Sequence, residues 1–414
     1  MIRNRISRIL FLKKLFNYPV TLNADTLKKL GFTRTMKIGI DYLKTLVHKL
    51  PEDNLENFYI NRFGKELYKT FFEKYTYKVW GIECKNIAAD WGAQRVKGLN
   101  ITKTITHALH ELTKINEKNV ETSLIEQFLY PKLGPGQMWE TVAKRIVEKG
   151  GEIHFNSKVI GIETENDSIK TVTVQKAGNN EKYDGDYFIS TMPVRDLIES
   201  INQENPDTVP KDIYEISQGL VYRDFVTVGI LLNNINLKNE TETPTINNIL
   251  PDTWIYIQEA DVKLGRVQIF NNWSPYLVED PDKVWLGLEY FCNEGDELWN
   301  KSDEEMSGFA IDELDQINFA SKSNVVDSVV IRIPKAYPAY FGSYERFDDV
   351  RDYVDTFDNL FLIGRNGMHR YNNMDHSMLS AMAAVDNIMT GRTDNSNIWA
   401  VNSEKEYHES VDNK

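Results

Sequence analysis

A chain of 414 residues, 41% of them apolar and 26% charged, has the length for two or three domains and enough apolar residues for sizeable cores. Its formal net charge of −13 argues against nucleic acid as a partner, because phosphate binding needs a basic face. Two cysteines, Cys84 and Cys292, cannot build a disulfide framework or a four-cysteine zinc site, and no His-Glu-x-x-His pattern occurs, so no metal is expected.

The first residues are basic and then apolar, but Lys13 and Lys14 interrupt the run and no small-residue cleavage site follows. A strand through Leu12, a turn at the lysines and a second strand to Pro19 are predicted instead. No run approaches the roughly 20 apolar residues of a membrane span. The chain therefore reads as cytoplasmic, at most peripheral to a membrane and with no transmembrane segment, its two thiols reduced in preference to forming one bridge.

From Asn23 to about Lys118 the pattern is mostly helical. Asp25 is placed to cap a helix through Leu30. The aromatics and Leu67 between Phe58 and Phe72 recur at largely three- to five-residue spacing, a stripe assigned to core. A helix opening at Pro135 stops at Gly150-Gly151, and Glu152 to Ser157 follows as a short strand. Val159 to Thr164 and Thr171 to Lys176 form a hairpin, and the stretch from Tyr183 runs as a strand into the turn Ser190-Thr191-Met192-Pro193. Strand runs dominate from Leu220 to Ile333, with the partial alternation of an antiparallel sheet that buries one face. An acidic helix from about Ser302 to Phe319 interrupts them and reads as a solvated face. Beyond Arg392 the chain is polar and expected to fray.

The most informative stretch is Phe361 to Asn387: an apolar strand ending at Gly364, a polar loop, and a helix rich in Ala and Met. Gly364 permits close backbone approach, Arg365 can neutralise a phosphate, and the free N–H groups around Asn373, Met374 and Asp375 carry the positive end of the helix dipole. His369 and His376 flank this loop, each either a general acid or base or a structural hydrogen-bonding group.

This stretch resembles the carboxy-terminal flavin-contacting motif of the amine-oxidase and UDP-galactopyranose mutase flavoproteins. Tyr75-Thr-Tyr-Lys-Val-Trp-Gly81 is similar to the mutases' Tyr-Thr-x-Lys-x-Trp-Gly segment, and Tyr130-Pro-Lys-Leu-Gly-Pro-Gly136 to the glycine turn of their oxidase-like relatives. In order, the motifs look like those of the protoporphyrinogen-oxidase-like proteins near the mutases. The resemblance implies FAD as cofactor, with Val159, Thr191, Gly364, Arg365, Asn373, Met374 and Asp375 contacting it. It implies a small-molecule substrate, a UDP-sugar among the candidates, near Trp80, Arg95, Tyr337 and Tyr340. Each of those four has a plain alternative: core packing for Trp80 and the tyrosines, a surface ion pair for Arg95. No catalytic residue is assigned, and a homo-oligomer stays open.

The implied fold is α/β (α+β overall), an incomplete glutathione-reductase-type FAD domain with a helical and antiparallel-sheet substrate domain. Residues 1–20, 126–195 and 346–392 are expected in the first, 21–125 and 196–345 in the second, and 393–414 as a tail. Such flavin domains open with a strand, a Gly-x-Gly-x-x-Gly turn and a helix. That element is not in this sequence; Gly134-Pro-Gly136 has no apolar strand before it. The expected function is a FAD-dependent oxidoreductase or mutase-like enzyme, with a truncated, non-catalytic or partner-dependent fragment as the alternative.

Overall fold

The computed structural model describes residues 1–18, 20, 24–89, 127–204, 206 and 208–402. The chain divides into two units, one built from Met1–Arg145 and Phe225–Pro334, the other from Ile146–Asp224 and Lys335–Lys405.

The first unit is organised on a seven-stranded sheet in the order Val325–Pro338, Tyr222–Leu232, Val284–Cys292, Arg266–Ile269, Trp254–Ile257, Ser7–Phe11, Lys14–Asn17. Every strand run expected between Leu220 and Ile333 is present. The central strands Tyr222–Leu232 and Val284–Cys292 are buried on both faces, while Trp254–Ile257, Arg266–Ile269 and the edge strand Val325–Pro338 alternate. The amino-terminal hairpin forms as read, its turn made by Leu12 and Lys13 at φ 53 and 56. Its placement differs from expectation. Ser7–Phe11 pairs in parallel with Trp254–Ile257, so the hairpin lies in this sheet of the first unit, while Ile2–Asn4 pairs separately with Gln127–Leu129. The cause is apolar: Ile9, Leu10 and Phe16 are buried, and Leu10 joins the sheet's main core.

Helices Ala24–Leu30, Phe32–Val47, Leu55–Phe63, Lys65–Tyr68 and Lys74–Trp80 follow, with a π-helical turn at Lys69–Glu73. Asp25 lies inside the first of these and pairs with Lys29 rather than capping it. Phe58, Tyr59, Phe63, Leu67 and Phe71 are buried, so the aromatic stripe is core. The acidic helix Asp303–Gln316 opens with a reciprocal cap, Glu305 N–H to Ser302 Oγ at 3.2 Å and Ser302 N–H to Glu305 Oε2 at 2.8 Å. It is solvated on one side only: Met306, Ala310 and Leu314 enter the sheet's core, and Glu313 accepts the N–H groups of Lys263 and Leu264.

In the second unit a meander of Ser157–Glu165, Ser168–Lys176 and Asn179–Asp184 packs against the Val194–Glu204 helix. Its third strand was not read from the sequence; Ala177 and Gly178 at φ 49 and 84 make the turn that allows it. Phe188–Ser190 and Leu360–Leu362 form a two-stranded parallel sheet. The segment 152–155 is not the strand expected: it is irregular, and Phe155 is exposed. A strand forms only with a hydrogen-bonding neighbour. The residues after Arg392 do not all fray. Ile398 and Trp399 are buried, and the Trp399 indole N–H donates to Asp355 Oδ2 at 2.9 Å.

Candidate functional site

The site grows from the two parallel strands of the second unit. Leu360, Phe361 and Leu362 are wholly buried, which anchors the strand that delivers Gly364. Ile363 N–H donates to Ser190 O at 3.0 Å, holding the Leu360–Leu362 strand's exit beside the Ser190–Thr191 turn. Gly364 has φ +74, and a Cβ there would stand 3.9 Å from Thr191 Cγ2 with nothing nearer. Its N–H donates to Ser380 Oγ at 3.0 Å. At Gly367 a Cβ would lie 2.6 Å from Ser190 O, so only glycine lets the loop pass this close. Thr191 and Gly364 are neighbours.

Arg365 is held on four sides. Its Nε donates to Asn372 O at 2.9 Å and its Nη1 to Ala336 O at 3.0 Å. The guanidinium carbon lies 4.6 Å from the Tyr371 ring centre and 5.3 Å from that of Tyr337, and those rings stack at 5.6 Å. The Tyr340 hydroxyl accepts the Tyr371 N–H. Tyr337 and Tyr340, expected near substrate, are thus built into the same assembly as Arg365. Asn373 opens the Met374–Thr390 helix; its N–H donates to His376 Nδ1 at 3.2 Å. Met374 and Asp375, in the first turn, are exposed.

Neither histidine is placed for proton transfer. His376 is a capping group. His369 is fully buried at φ 43, with Nε2 3.1 Å from Ala339 O and its ring edge-on to Tyr222. Burial pulls its pKa down to about 4, against the opposing hydrogen bond to Ala339, so it is neutral near pH 7.

Val159 sits on the meander, opposite Val174 at a register break before Gly161. Trp80, in the first unit, is buried at the end of its helix, beside the left-handed Gly81 at φ 73. In the same motif Lys78 donates to the carbonyls of Ile257, Glu259 and Leu264 at 2.9, 3.0 and 2.8 Å, and burial lowers its pKa to about 8. Arg95 lies outside the described residues. Sequence reasoning missed a polar face on the first unit's sheet, where Arg266 and Gln268 both donate to the buried carboxylate of Glu289. The signal was the alternation Trp254-x-Tyr256 and Arg266-x-Gln268, whose residues pair across neighbouring strands.

The residues present fit a flavin. Gly364 leaves room against Thr191, and two buried polar atoms beside it, Ser190 Oγ and Asn366 Oδ1, have no partner. This is a mixed α/β fold with a strand–glycine–loop–helix element in its second unit. The comparisons make the class specific. Residues 18–389 match the family of flavin containing amine oxidoreductases, and the chain belongs to that family; its cofactor is FAD.

A crystal structure of reduced UDP-galactopyranose mutase superposes with a TM-score of 0.77 at 19% identity, over 99% of this chain and 83% of that one. A putative protoporphyrinogen oxidase from Exiguobacterium gives 0.58 at 16% identity, over 88% and 77%. Putrescine oxidase gives 0.54 at 15%, over 94% and 82%. At these identities the likeness is one of fold. Among the described residues no helix is long and apolar enough to cross a membrane, and no group of His, Cys, Asp or Glu could hold a metal ion.

Proposed function

We propose that this protein is a FAD-dependent enzyme whose second unit is a glutathione-reductase-type flavin half, acting on a nucleotide sugar or a related polar substrate. The observation that carries the reading is the direct succession of cradle and aromatic cage. Gly364 lies beside Thr191, and the next residue, Arg365, is sandwiched with Tyr337 and Tyr371. Two carbonyls and two rings fix the guanidinium, and its Nη2 remains for one anionic oxygen of cofactor or substrate. Tyr340 braces the cage through the Tyr371 N–H, its own ring stacked on Tyr344. Arg95 and Trp80 are assigned to the substrate side, and Val159, Asn373, Met374 and Asp375 to the cofactor side. When bound, the flavin would supply the reactive centre, a nucleophile in its reduced form or a hydride acceptor in its oxidised form.

The test is anaerobic incubation of the reduced, flavin-loaded protein with UDP-galactose. The expected result is a ring isomer of the UDP-sugar with no reductant consumed. No isomer there, with oxygen uptake from a C–H donor in a separate aerobic assay, would instead make it an oxidase. Neither reaction from a stoichiometrically yellow protein would refute the reading.

A second reading has its own support: a partner-dependent flavin half, completed by a further strand and helix. Parallel strands normally lie in sheets covered on both faces. Here the parallel sheet has two strands, Ile189 on one of them is exposed, and the Met374–Thr390 helix exposes Met374, Met378, Met382, Val385 and Met389. Supplying a strand, a Gly-x-Gly-x-x-Gly turn and a helix should convert colourless protein to yellow. A stoichiometric flavin complement without it would remove this reading.

A further inference from the structure

The Phe32–Val47 helix is amphipathic in the wrong sense for a helix that merely covers a core. Its packed side contributes Ile38 and Thr45 to the interior. Its outer side carries Phe32, Met36, Ile40, Leu43 and Val47, all exposed, Val47 to 92%. With about 100° per residue these fall within one arc, which Leu46 extends to about 120°. An open depression lined by Ile40, Leu43, Lys44, Val47 and His48 lies on it. Such a continuous exposed stripe marks an interaction surface.

Charge selects the occupant. The stripe is bordered along one side by Lys37 and Lys44, both exposed, with His48 and Lys49 just past the helix end. Lys44 is 70% exposed and pairs at 2.9 Å with Asp41, which is 23% exposed. Asp41 answers Lys44, and among the described residues no carboxylate pairs with Lys37. In an antiparallel two-fold pair of such helices, the lysines of one copy would meet those of the other, a repulsive arrangement. An apolar stripe edged by lysines instead fits a surface that is apolar within and anionic at its rim. The chain's overall charge of −13 does not oppose this at close range, since salt screens charges beyond about 8–10 Å.

We propose that the Phe32–Val47 helix is a docking face for an anionic phospholipid surface, lying in the plane of the interface with its stripe among the acyl chains. The helix needs no rearrangement for this, because its apolar side chains already face outward.

The experiment is flotation of the full chain with phosphatidylcholine vesicles, with and without phosphatidylglycerol, at low and high salt. The expected result is binding to the anionic vesicles alone, weakened by salt. Replacing Lys37 and Lys44 together by Gln should weaken it, by about fivefold for each lysine removed. Ile40→Glu combined with Leu43→Glu should abolish it. Both variants change exposed side chains, and circular dichroism checks that they fold. Absence of anionic-vesicle binding overturns the proposal, as does binding indifferent to both variants. A lipid-free dimer, seen by sedimentation velocity and lost in the Ile40→Glu, Leu43→Glu variant, would also overturn it and identify a second copy as the occupant.

Discussion

Two helices in different units carry the same exposed apolar spacing. Phe32, Met36, Ile40, Leu43 and Val47 on one correspond step for step to Met374, Met378, Met382, Val385 and Met389 on the other. Beside the stripe the two diverge. Where the first has Lys37 and Lys44, the second has Leu379 and Asp386, with Asp375 in its first turn. A stripe states only that something apolar covers it; the flanking charge states what. Exposed lysines in excess of the one acid paired with them fit an anionic surface. Acids beside a run of methionines, next to a two-stranded parallel sheet, fit a polypeptide that extends the sheet, since methionine adapts its shape to a partner.

The largest effect expected is a contrast between charges placed in the two stripes. With the strand, glycine turn and helix supplied, Met382→Glu should reduce the flavin retained after gel filtration at least tenfold. Burying an unpaired carboxylate under a packed segment costs several kcal/mol. Ile40→Glu should leave flavin content unchanged and affect vesicles alone. If Met382→Glu stays fully yellow, no polypeptide packs there and the comparison fails.

A second contrast is in acid. His369 has a folded pKa of about 4 against an unfolded value near 6.5. Its preference for the neutral form is therefore fully present above about pH 6.5. Stability is lost as pH falls from about 6.5 to about 4, where the unfolded chain takes up a proton that the folded one refuses. The loss is about 3 kcal/mol across that window. It belongs to the unit with the acidic-flanked stripe. Melting curves of the wild type and His369→Gln between pH 7 and pH 4 measure it: the variant should show a shallower acid decline. Equal slopes would show that His369 is not the group responsible.

Much of this was legible in sequence, and what was not has physical causes. Apolar runs such as Val284–Cys292 announce buried strands by composition alone. The Gly364–Arg365 loop announced an unusual turn, and Gly364 at φ +74 with Arg365 held by two carbonyls is one. Tertiary partners were hidden. Nothing in Ser7–Phe11 says that its neighbour is Trp254–Ile257, since parallel pairing is set by distant chain segments. The polar residues after Arg392 concealed Ile398 and Trp399, two apolar side chains too few to make a pattern yet enough to dock the segment. Lys78 read as part of a family motif, but its three carbonyl acceptors come from a loop far away in sequence. Charge was legible only as a total; the lysine border on one stripe and the acidic border on the other needed the helix faces.

The smallest expected effect gives the finest discrimination. Seven residues into each stripe the helices differ by one methyl group, Gly39 in the first and Ala381 in the second. A Cβ at Gly39 would meet nothing within 4 Å. Glycine inside an exposed helix costs about 1 kcal/mol relative to alanine, so Gly39→Ala should stabilise the protein by about that amount. The outcome for docking depends on what lies opposite. A fluid lipid surface accommodates one methyl, and vesicle binding should be unchanged. A second helix packed closely at Gly39 would be pushed away by it, because small residues are what let two backbones approach. Denaturant unfolding and flotation on the same variant separate the cases. Higher stability with unchanged binding supports the lipid surface; higher stability with lost binding or self-association would show a helix as the partner, and the two stripes would then share one kind of occupant.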